Sequence, residues 1–140
     1  MLRRGYNYDM AEGYKNKKIL LVEDDPFLAG LLERSFTKEG FIYELASDGE
    51  TGLAKAKSME PDLILLDLVL PGIDGYEVLR RLKADPKLAQ YPVIILSNLG
   101  QKEEIDRGIR MGAIDFLVKA NIYLDEIVVR IKKLFDASPK

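Results

Sequence analysis

Short apolar runs alternate with longer amphipathic stretches from Lys17 onward. The apolar runs predict β-strands over residues 18–23, 41–46, 62–67, 92–97 and 114–118. The amphipathic stretches predict helices over about 26–39, 49–58, 75–84, 102–111 and 122–135, because their apolar residues recur every three or four positions. Five strand–helix units in strict alternation predict a parallel sheet that is covered by helices on both faces.

Local signals define the ends of several of these elements. Asp25 is expected to cap the first helix, and Pro26 is tolerated in its first turn. Gly40 is expected to end that helix as its C-cap. Pro71 and Gly75 are expected to shape the loop after the third strand, where glycine is free to adopt a positive φ.

The pattern predicts one domain in a chain of 140 residues. Residues 1–16 are polar, carry three tyrosines and show no period, so we expect a flexible extension; the alternative is a short docking segment. Residues 17–136 form the predicted domain, and 137–140 form a short tail. No internal repeat and no second domain is expected.

Composition narrows the possible partners. The 21 basic and 23 acidic side chains nearly cancel, and the net charge of −2 gives no indication of nucleic-acid binding. The apolar runs are too short to span a membrane, and no apolar segment follows the basic N-terminus as in a signal peptide. We therefore expect a cytoplasmic location.

The chain contains neither cysteine nor histidine. Disulfides, thiolate catalysis, imidazole acid–base chemistry and phosphohistidine on this chain are therefore excluded. Any bound metal must take oxygen ligands alone, which favours magnesium, calcium or manganese.

Acidic residues follow two of the predicted strands at the point where each strand ends. Glu23 and Asp24 close the run that begins at Ile19, and Asp67 closes the run that begins at Leu63. Because the carboxyl ends of parallel strands meet at one edge of a sheet, these carboxylates are expected to converge there. Like charges repel and raise one another's pKa unless a cation lies between them.

Two further polar residues follow neighbouring strands. Ser97 ends the fourth apolar run, and Lys119 follows the fifth. Each residue alone has an ordinary interpretation, as a local hydrogen-bonding group or a solvated charge. The same edge would then carry acids that can hold a divalent cation, a carboxylate that can act as nucleophile, a hydroxyl and an ammonium. This combination favours phosphoryl chemistry.

Four ordered segments resemble the receiver domain of response regulators: residues 19–26, 61–75, 93–97 and 112–119. The resemblance extends over residues 17–136, and it implies a flavodoxin-like (βα)5 fold with strand order 2-1-3-4-5.

The resemblance also implies a magnesium-dependent phosphoacceptor site. Asp67 resembles the phosphoacceptor, and Asp24 and Asp67 resemble direct Mg²⁺ ligands, for which Mn²⁺ can substitute. The third protein ligand would be the backbone carbonyl of Val69, and Glu23 would act through water. Ser97 and Lys119 resemble the hydroxyl and the ammonium that contact the phosphoryl group.

A stand-alone receiver with these residues would take its phosphoryl group from a histidine kinase or a phosphotransfer protein. Phe116 stands where the family has a switch aromatic that packs inward on activation. The expected result is a changed face for a downstream protein, on a monomer or weak dimer. Catalysis would be limited to self-phosphorylation from small donors and slow self-dephosphorylation.

The chain departs from the family's usual pattern at a few positions. Ala120 follows Lys119 where many receivers have a proline with a cis bond, so the bond here is either strained or trans. Asn98 replaces the usual small residue and could either narrow access to Asp67 or hydrogen-bond the phosphoryl group. The apolar Val69 and Leu99 cannot orient an attacking water, which predicts slow hydrolysis of an acyl phosphate.

Two other functions fit part of the pattern. A phosphatase of the haloacid-dehalogenase type also uses an aspartate at a strand end with Mg²⁺, but it needs a second aspartate where this chain has Val69. A phosphorylation-independent binding module would keep the fold without the chemistry, and the Lys119–Ala120 departure keeps that alternative open.

Overall fold

The structure, a computed structural model, describes residues 14–137. Five parallel strands form one sheet in the order β2-β1-β3-β4-β5: β1 Lys18–Val22, β2 Ile42–Ala46, β3 Leu63–Leu66, β4 Val93–Ser97 and β5 Asp115–Val118. Five helices connect and follow them: α1 Pro26–Glu39, α2 Gly49–Met59, α3 Gly75–Ala84, α4 Lys102–Arg110 and α5 Leu124–Ala137. The predicted flavodoxin-like fold and its strand order are confirmed.

The inner strands β1, β3 and β4 are apolar except at Lys18 and Ser97, because helices cover both of their faces. Successive side chains of a strand point to opposite faces, so Leu20 and Ile64 lie in one core cluster and Leu21 and Leu65 in the other. The first cluster is completed by α2 and α3, and the second by α1 and α5. All four strand residues of β3 are buried. The sheet is therefore a rigid support for whatever side chains follow its strands.

The predicted caps of α1 are confirmed. Asp25 accepts a hydrogen bond from the Phe27 amide at 3.0 Å, and Pro26 is the first helical residue. Gly40 ends the helix in the left-handed region with φ of 86°. Asp25 is also not one of the three acids whose carboxylate oxygens cluster at the carboxyl edge of the sheet.

The prediction for Gly75 is wrong in its physical reason. Gly75 is the first residue of α3 and does not have a positive φ; Gly72, in the loop before it, does, at 77°. A Cβ on Gly75 would lie 2.3 Å from the carbonyl oxygen of Asp67. Glycine is required here because the helix begins in contact with the backbone of Asp67.

Four helix boundaries differ from the prediction by one or two residues; α2 ends one residue late, at Met59, and α5 ends two residues late, at Ala137. Helix α4 ends at Arg110, one residue early, and α5 begins at Leu124. The later start of α5 follows from a 3₁₀ turn over Lys119–Asn121, after which Glu126 accepts a hydrogen bond from the Tyr123 amide. This turn occupies the residues that directly follow β5.

Tyr14 is packed although the sequence places it in the flexible extension. Its ring lies edge-on to Phe41 at 5.9 Å between centroids, and its hydroxyl donates to Asp136 at 3.0 Å. The packed part of the chain therefore includes residues before Lys17. The rest of the predicted extension, residues 1–13, and the end of the predicted tail, residues 138–140, lie outside the described residues.

Candidate functional site at the carboxyl edge of the sheet

Backbone hydrogen bonds continue the sheet for one residue beyond two of its strands. The Glu23 amide donates to the carbonyl of Ala46 at 2.9 Å, and the Asp67 amide donates to the carbonyl of Val22 at 3.0 Å. Both acidic residues are therefore held in extended backbone at the same edge. Both residues are almost fully buried, with Glu23 2% and Asp67 4% exposed.

The Lys119 ammonium lies between these two carboxylates. Its Nζ is 2.8 Å from Glu23 Oε1 and 2.8 Å from Asp67 Oδ2. The lysine side chain is itself only 15% exposed. The structure thus brings together three residues from the ends of β1, β3 and β5, as the strand-end pattern predicts.

The remaining oxygens of the two buried acids accept backbone hydrogen bonds. Glu23 Oε2 accepts from the Asp25 amide at 3.0 Å, and Asp67 Oδ1 accepts from the Val69 amide at 3.3 Å. No buried side-chain nitrogen or oxygen lacks a partner among residues 14–137. The two carboxylates are consequently fixed in orientation before any ligand enters.

Burial raises the pKa of Glu23 above its ordinary value of 4.5. The hydrogen bond from Lys119 lowers this pKa, and the nearby charge of Asp67 raises it, but the loss of water contacts is the largest effect. An additional cation at this edge would favour the charged carboxylate.

At Lys119, interactions with the acids together have a larger effect on the pKa than burial has. Burial lowers the pKa of its ammonium, but hydrogen bonds and charge interactions with Asp67 and Glu23 outweigh burial and raise the pKa above 10.5. The lysine is therefore charged at neutral pH. The described residues contain no cis peptide bond, so the Lys119–Ala120 bond is trans, and the ammonium reaches the acids from the start of the 3₁₀ turn.

Three carboxylates form a set that fits a hard divalent cation. One oxygen from each of Glu23, Asp24 and Asp67 lies within 4.8 Å of the others, and Asp24 is exposed to solvent. An all-oxygen set with an open side suits Mg²⁺ or Mn²⁺. The assignment of the Val69 carbonyl as a further ligand stays a prediction.

Ser97 lies at the same edge on the strand next to β3. It is fully buried and pairs in register with Val118, the residue before Lys119. Its hydroxyl oxygen accepts from the Leu99 amide at 3.4 Å. Ser97 therefore lies at the same edge of the sheet as Asp67 and Lys119, and its role toward a ligand stays a prediction. Asn98, which follows it, is exposed.

Phe116 is half-buried on β5, opposite Ile95. Its ring packs against the first core cluster and lies beneath α4, because a Cβ on Gly108 would come within 3.2 Å of it. The position agrees with an ordinary core role as well as with a switch role, and the switch role stays a prediction.

Sequence reasoning did not identify the contacts of Tyr76, the residue after Gly75. Its ring lies under the Arg107 guanidinium at 3.9 Å, and its hydroxyl donates to the carbonyl of Glu104 at 3.0 Å. The only signal was an aromatic residue in the apolar stripe of α3, which is typical of plain core.

None of the helices within residues 14–137 is long and apolar enough to cross a membrane.

Known proteins resemble this chain over most of its length. The model of a family described as the response regulator receiver domain matches residues 19–132. The DNA-binding dual master transcriptional regulator RpaA of Synechocystis is 38% identical over 117 residues, which are 84% of this chain and 48% of RpaA. This chain thus spans about half of that relative's length.

Solved structures show the same architecture. A chain from the CheX-CheY-BeF3-Mg complex of Borrelia burgdorferi superposes with a TM-score of 0.81 at 28% identity, covering 90% of this chain and 98% of that one. The Mn²⁺-bound form of response regulator Rcp1 superposes with a TM-score of 0.76 at 27% identity, covering 89% and 97%.

Proposed function

Since the chain belongs to the response regulator receiver domain family, we propose that it accepts a phosphoryl group on Asp67 and thereby switches a protein-binding surface. Receiver domains are signalling modules of two-component systems. The observation that carries the proposal is the buried Asp67 carboxylate, held 2.8 Å from the Lys119 ammonium and within 4.8 Å of two other acids.

The proposed reaction is an in-line transfer to a carboxylate. An oxygen of Asp67 forms the new bond to phosphorus while the bond from phosphorus to the donor breaks, and the donor atom leaves with the electron pair. Lys119 is close enough to neutralise charge on the transferred group, because it already contacts Asp67. Ser97 is the second proposed contact of the phosphoryl group.

The metal in this proposal is Mg²⁺, with Mn²⁺ as a substitute. Asp24 and Asp67 would hold it directly, together with the backbone carbonyl of Val69, and Glu23 would act through water. When bound, the ion supplies positive charge that relieves repulsion among the acids and stabilises the transferred phosphoryl oxygens. The oxygen-only donor set of the three acids supports this assignment.

The donor is proposed to be the phosphohistidine of a kinase or phosphotransfer protein. This chain contains no histidine and so cannot supply that group itself. The target is proposed to be a downstream protein; the CheX-CheY complex is an example of a related chain bound to another protein.

The proposed switch moves Ser97 toward the phosphoryl group and Phe116 inward. Phosphorylation adds about one to two negative charges and new acceptor oxygens, which draw in a hydroxyl and an ammonium. Amide spectra of the two forms are expected to differ over β5 and its neighbouring helices. Superimposable spectra on that face would show that this switch does not operate.

The acyl phosphate is proposed to be long-lived. Val69 is 57% exposed beside the acceptor, and Leu99 lies two residues beyond Ser97, so neither side chain can hold an attacking water by hydrogen bonding. We expect a decay much slower than seconds, as followed by the loss of the phosphoryl mass with time. A half-life of seconds would contradict this reasoning.

Intact mass after incubation with acetyl phosphate and Mg²⁺ tests the proposed function. We expect one added phosphoryl group, which is absent without Mg²⁺ and absent in Asp67→Asn. Full-length protein that takes no phosphoryl group from acetyl phosphate or from a phosphorylated histidine phosphotransfer protein would instead favour the phosphorylation-independent binding module. Turnover of a chromogenic phosphate ester would favour the phosphatase.

A further inference from the structure

Helix α4 is attached to the domain by unusually little buried surface. Gly108 is its one buried residue, whereas each of the other four helices buries three or more. The glycine allows a close approach, because a Cβ there would lie 2.7 Å from Ile95 Cδ1. An element with so little buried apolar surface separates more easily from the domain than its neighbours do.

A single side chain of α3 supplies two specific contacts to this helix. The Tyr76 hydroxyl donates to the Glu104 carbonyl at 3.0 Å, and the Tyr76 ring lies 3.9 Å from the Arg107 guanidinium. The ring itself is buried, with 7% of the residue exposed. Tyr76 is thus fixed in the core on one side and holds the backbone and the outer face of α4 on the other.

Tyr76 is connected to Asp67 through its chain neighbour Gly75, which packs against the Asp67 backbone. Gly75 precedes Tyr76, donates its amide to the Leu68 carbonyl at 2.8 Å and lies directly against the Asp67 carbonyl. There is no room for a Cβ between them, so the start of α3 cannot stay in place if the backbone of Asp67 moves. Close packing transmits such a shift instead of absorbing it.

We propose that Tyr76 couples the backbone of Asp67 to helix α4, so that a change at Asp67 alters how firmly α4 is held. Tyr76 acts as a positioning residue, and this route is separate from the one through Ser97 and Phe116. The inference rests on the proposed function, because phosphorylation of Asp67 is the change that Tyr76 would transmit. Energetic coupling between the two positions is the property that must be measured.

Amide hydrogen exchange of the full chain tests the coupling, with and without beryllofluoride and Mg²⁺ as the phosphoryl mimic. Tyr76→Phe keeps the buried ring and removes only the hydroxyl. Without the mimic, we expect exchange of the α4 amides to speed up by about fivefold, the factor for one ordinary hydrogen bond. With the mimic, the change in α4 exchange seen in the wild type is expected to fall by at least about half, as one of two routes is weakened.

Two further variants make the result specific. Tyr43→Phe, on the opposite edge strand β2, makes the same chemical change and is expected to leave α4 exchange at the wild-type rate. Arg107→Ala removes the cation from the exposed face of α4 without touching the core, and it is expected to speed α4 exchange by about threefold.

The outcomes separate the coupling from the proposed function. Wild-type exchange in both Tyr76→Phe and Arg107→Ala, or a full wild-type response of α4 to the mimic in Tyr76→Phe, overturns the coupling. Bound beryllofluoride is followed independently by its fluorine NMR signal, which Asp67→Asn is expected to abolish. A wild-type protein without that signal overturns both the proposed function and the coupling, whereas a bound mimic with an unchanged α4 overturns the coupling alone.

Discussion

Removal of the Lys119 charge is expected to destabilise the protein strongly in the absence of a divalent cation. Lys119→Met keeps most of the side-chain volume and removes both ion pairs, to Glu23 and to Asp67, each at 2.8 Å. The side chains of the two acids are only 1% and 5% exposed, so water cannot replace the ammonium without opening the site. Two buried like charges would then face each other.

The expected loss is about 3–5 kcal/mol of unfolding free energy at neutral pH, the range for a buried charge left without its partner. A saturating concentration of Mg²⁺ should restore part of this lost unfolding free energy. A ligand of the folded state present at 100 times its Kd stabilises by about 2.7 kcal/mol. We therefore expect Mg²⁺ to stabilise Lys119→Met more than it stabilises the wild type, since the ammonium no longer competes for the acids.

The pH dependence follows from the raised pKa of Glu23. An acid whose pKa is raised on folding favours the folded state at low pH, and this contribution is lost as the pH rises from the ordinary 4.5 through the raised value. Since Lys119 lowers the pKa of Glu23, removal of the lysine raises that pKa further and widens the pH range over which stability is lost. The stability difference between the wild type and Lys119→Met is thus expected to be largest near neutral pH and to narrow toward pH 4.5.

Urea unfolding at several pH values, with and without Mg²⁺, measures these quantities. Lys102→Met is the matched control, because Lys102 is 89% exposed and, among residues 14–137, its ion pair is with Asp106 on its own helix. The control is expected to lose no more than about 0.5 kcal/mol. An unfolding free energy of Lys119→Met within about 1 kcal/mol of the wild type, at neutral pH without Mg²⁺, would show that the buried carboxylates do not depend on the ammonium for their stability.

Three further substitutions test other parts of the structure. Hydrogen bonds from two neighbouring arginines lower the pKa of Glu77 to about 2. The stability that Glu77 contributes is present above pH 4.5 and is lost as the pH falls toward 2. Glu77→Gln should therefore flatten the acid limb of a curve of unfolding free energy against pH, and an unchanged limb would contradict the assignment. Gly75→Ala places a Cβ 2.3 Å from the Asp67 carbonyl and should cost about 2 kcal/mol or more in urea unfolding. Its control Gly30→Ala, a helical position with no atom within 4 Å of the new Cβ, should be neutral or stabilising, and equal effects of the two would contradict the steric argument. Tyr14→Phe removes the hydroxyl that donates to the last turn of α5 and should cost about 1 kcal/mol in the same assay, whereas no loss would mean that this contact does not stabilise the domain.

The parallel sheet and the convergence of the acids could be predicted because both depend on a simple periodic pattern, whereas the order of the strands was implied by the resemblance to receiver domains. Strand β3 is apolar at every position, which is typical of a parallel strand covered on both faces, and Asp67 follows it directly. Parallel strands bring their carboxyl ends to one edge, so the position of Asp67 after β3 was enough to place it near Glu23 and Lys119.

Contacts between distant elements could not be predicted in the same way. Gly75 was interpreted through glycine's freedom to adopt positive φ, but its requirement comes from the Asp67 backbone, which only the packed loop brings near. Tyr76 was not singled out in the sequence, and its hydrogen bond to α4 depends on how α4 lies against α3. The packing of Tyr14 on Phe41 likewise joins parts of the chain that no local pattern relates.

Asp67 itself is the proposed site of phosphorylation. Reduction of the phosphorylated full chain with borohydride, followed by peptide mass mapping, converts an aspartyl phosphate to homoserine and so identifies its position. We expect homoserine at position 67 and at no other acidic residue, including Asp24. Homoserine elsewhere, or a phosphoryl group that survives as a stable ester on Ser97, would contradict it.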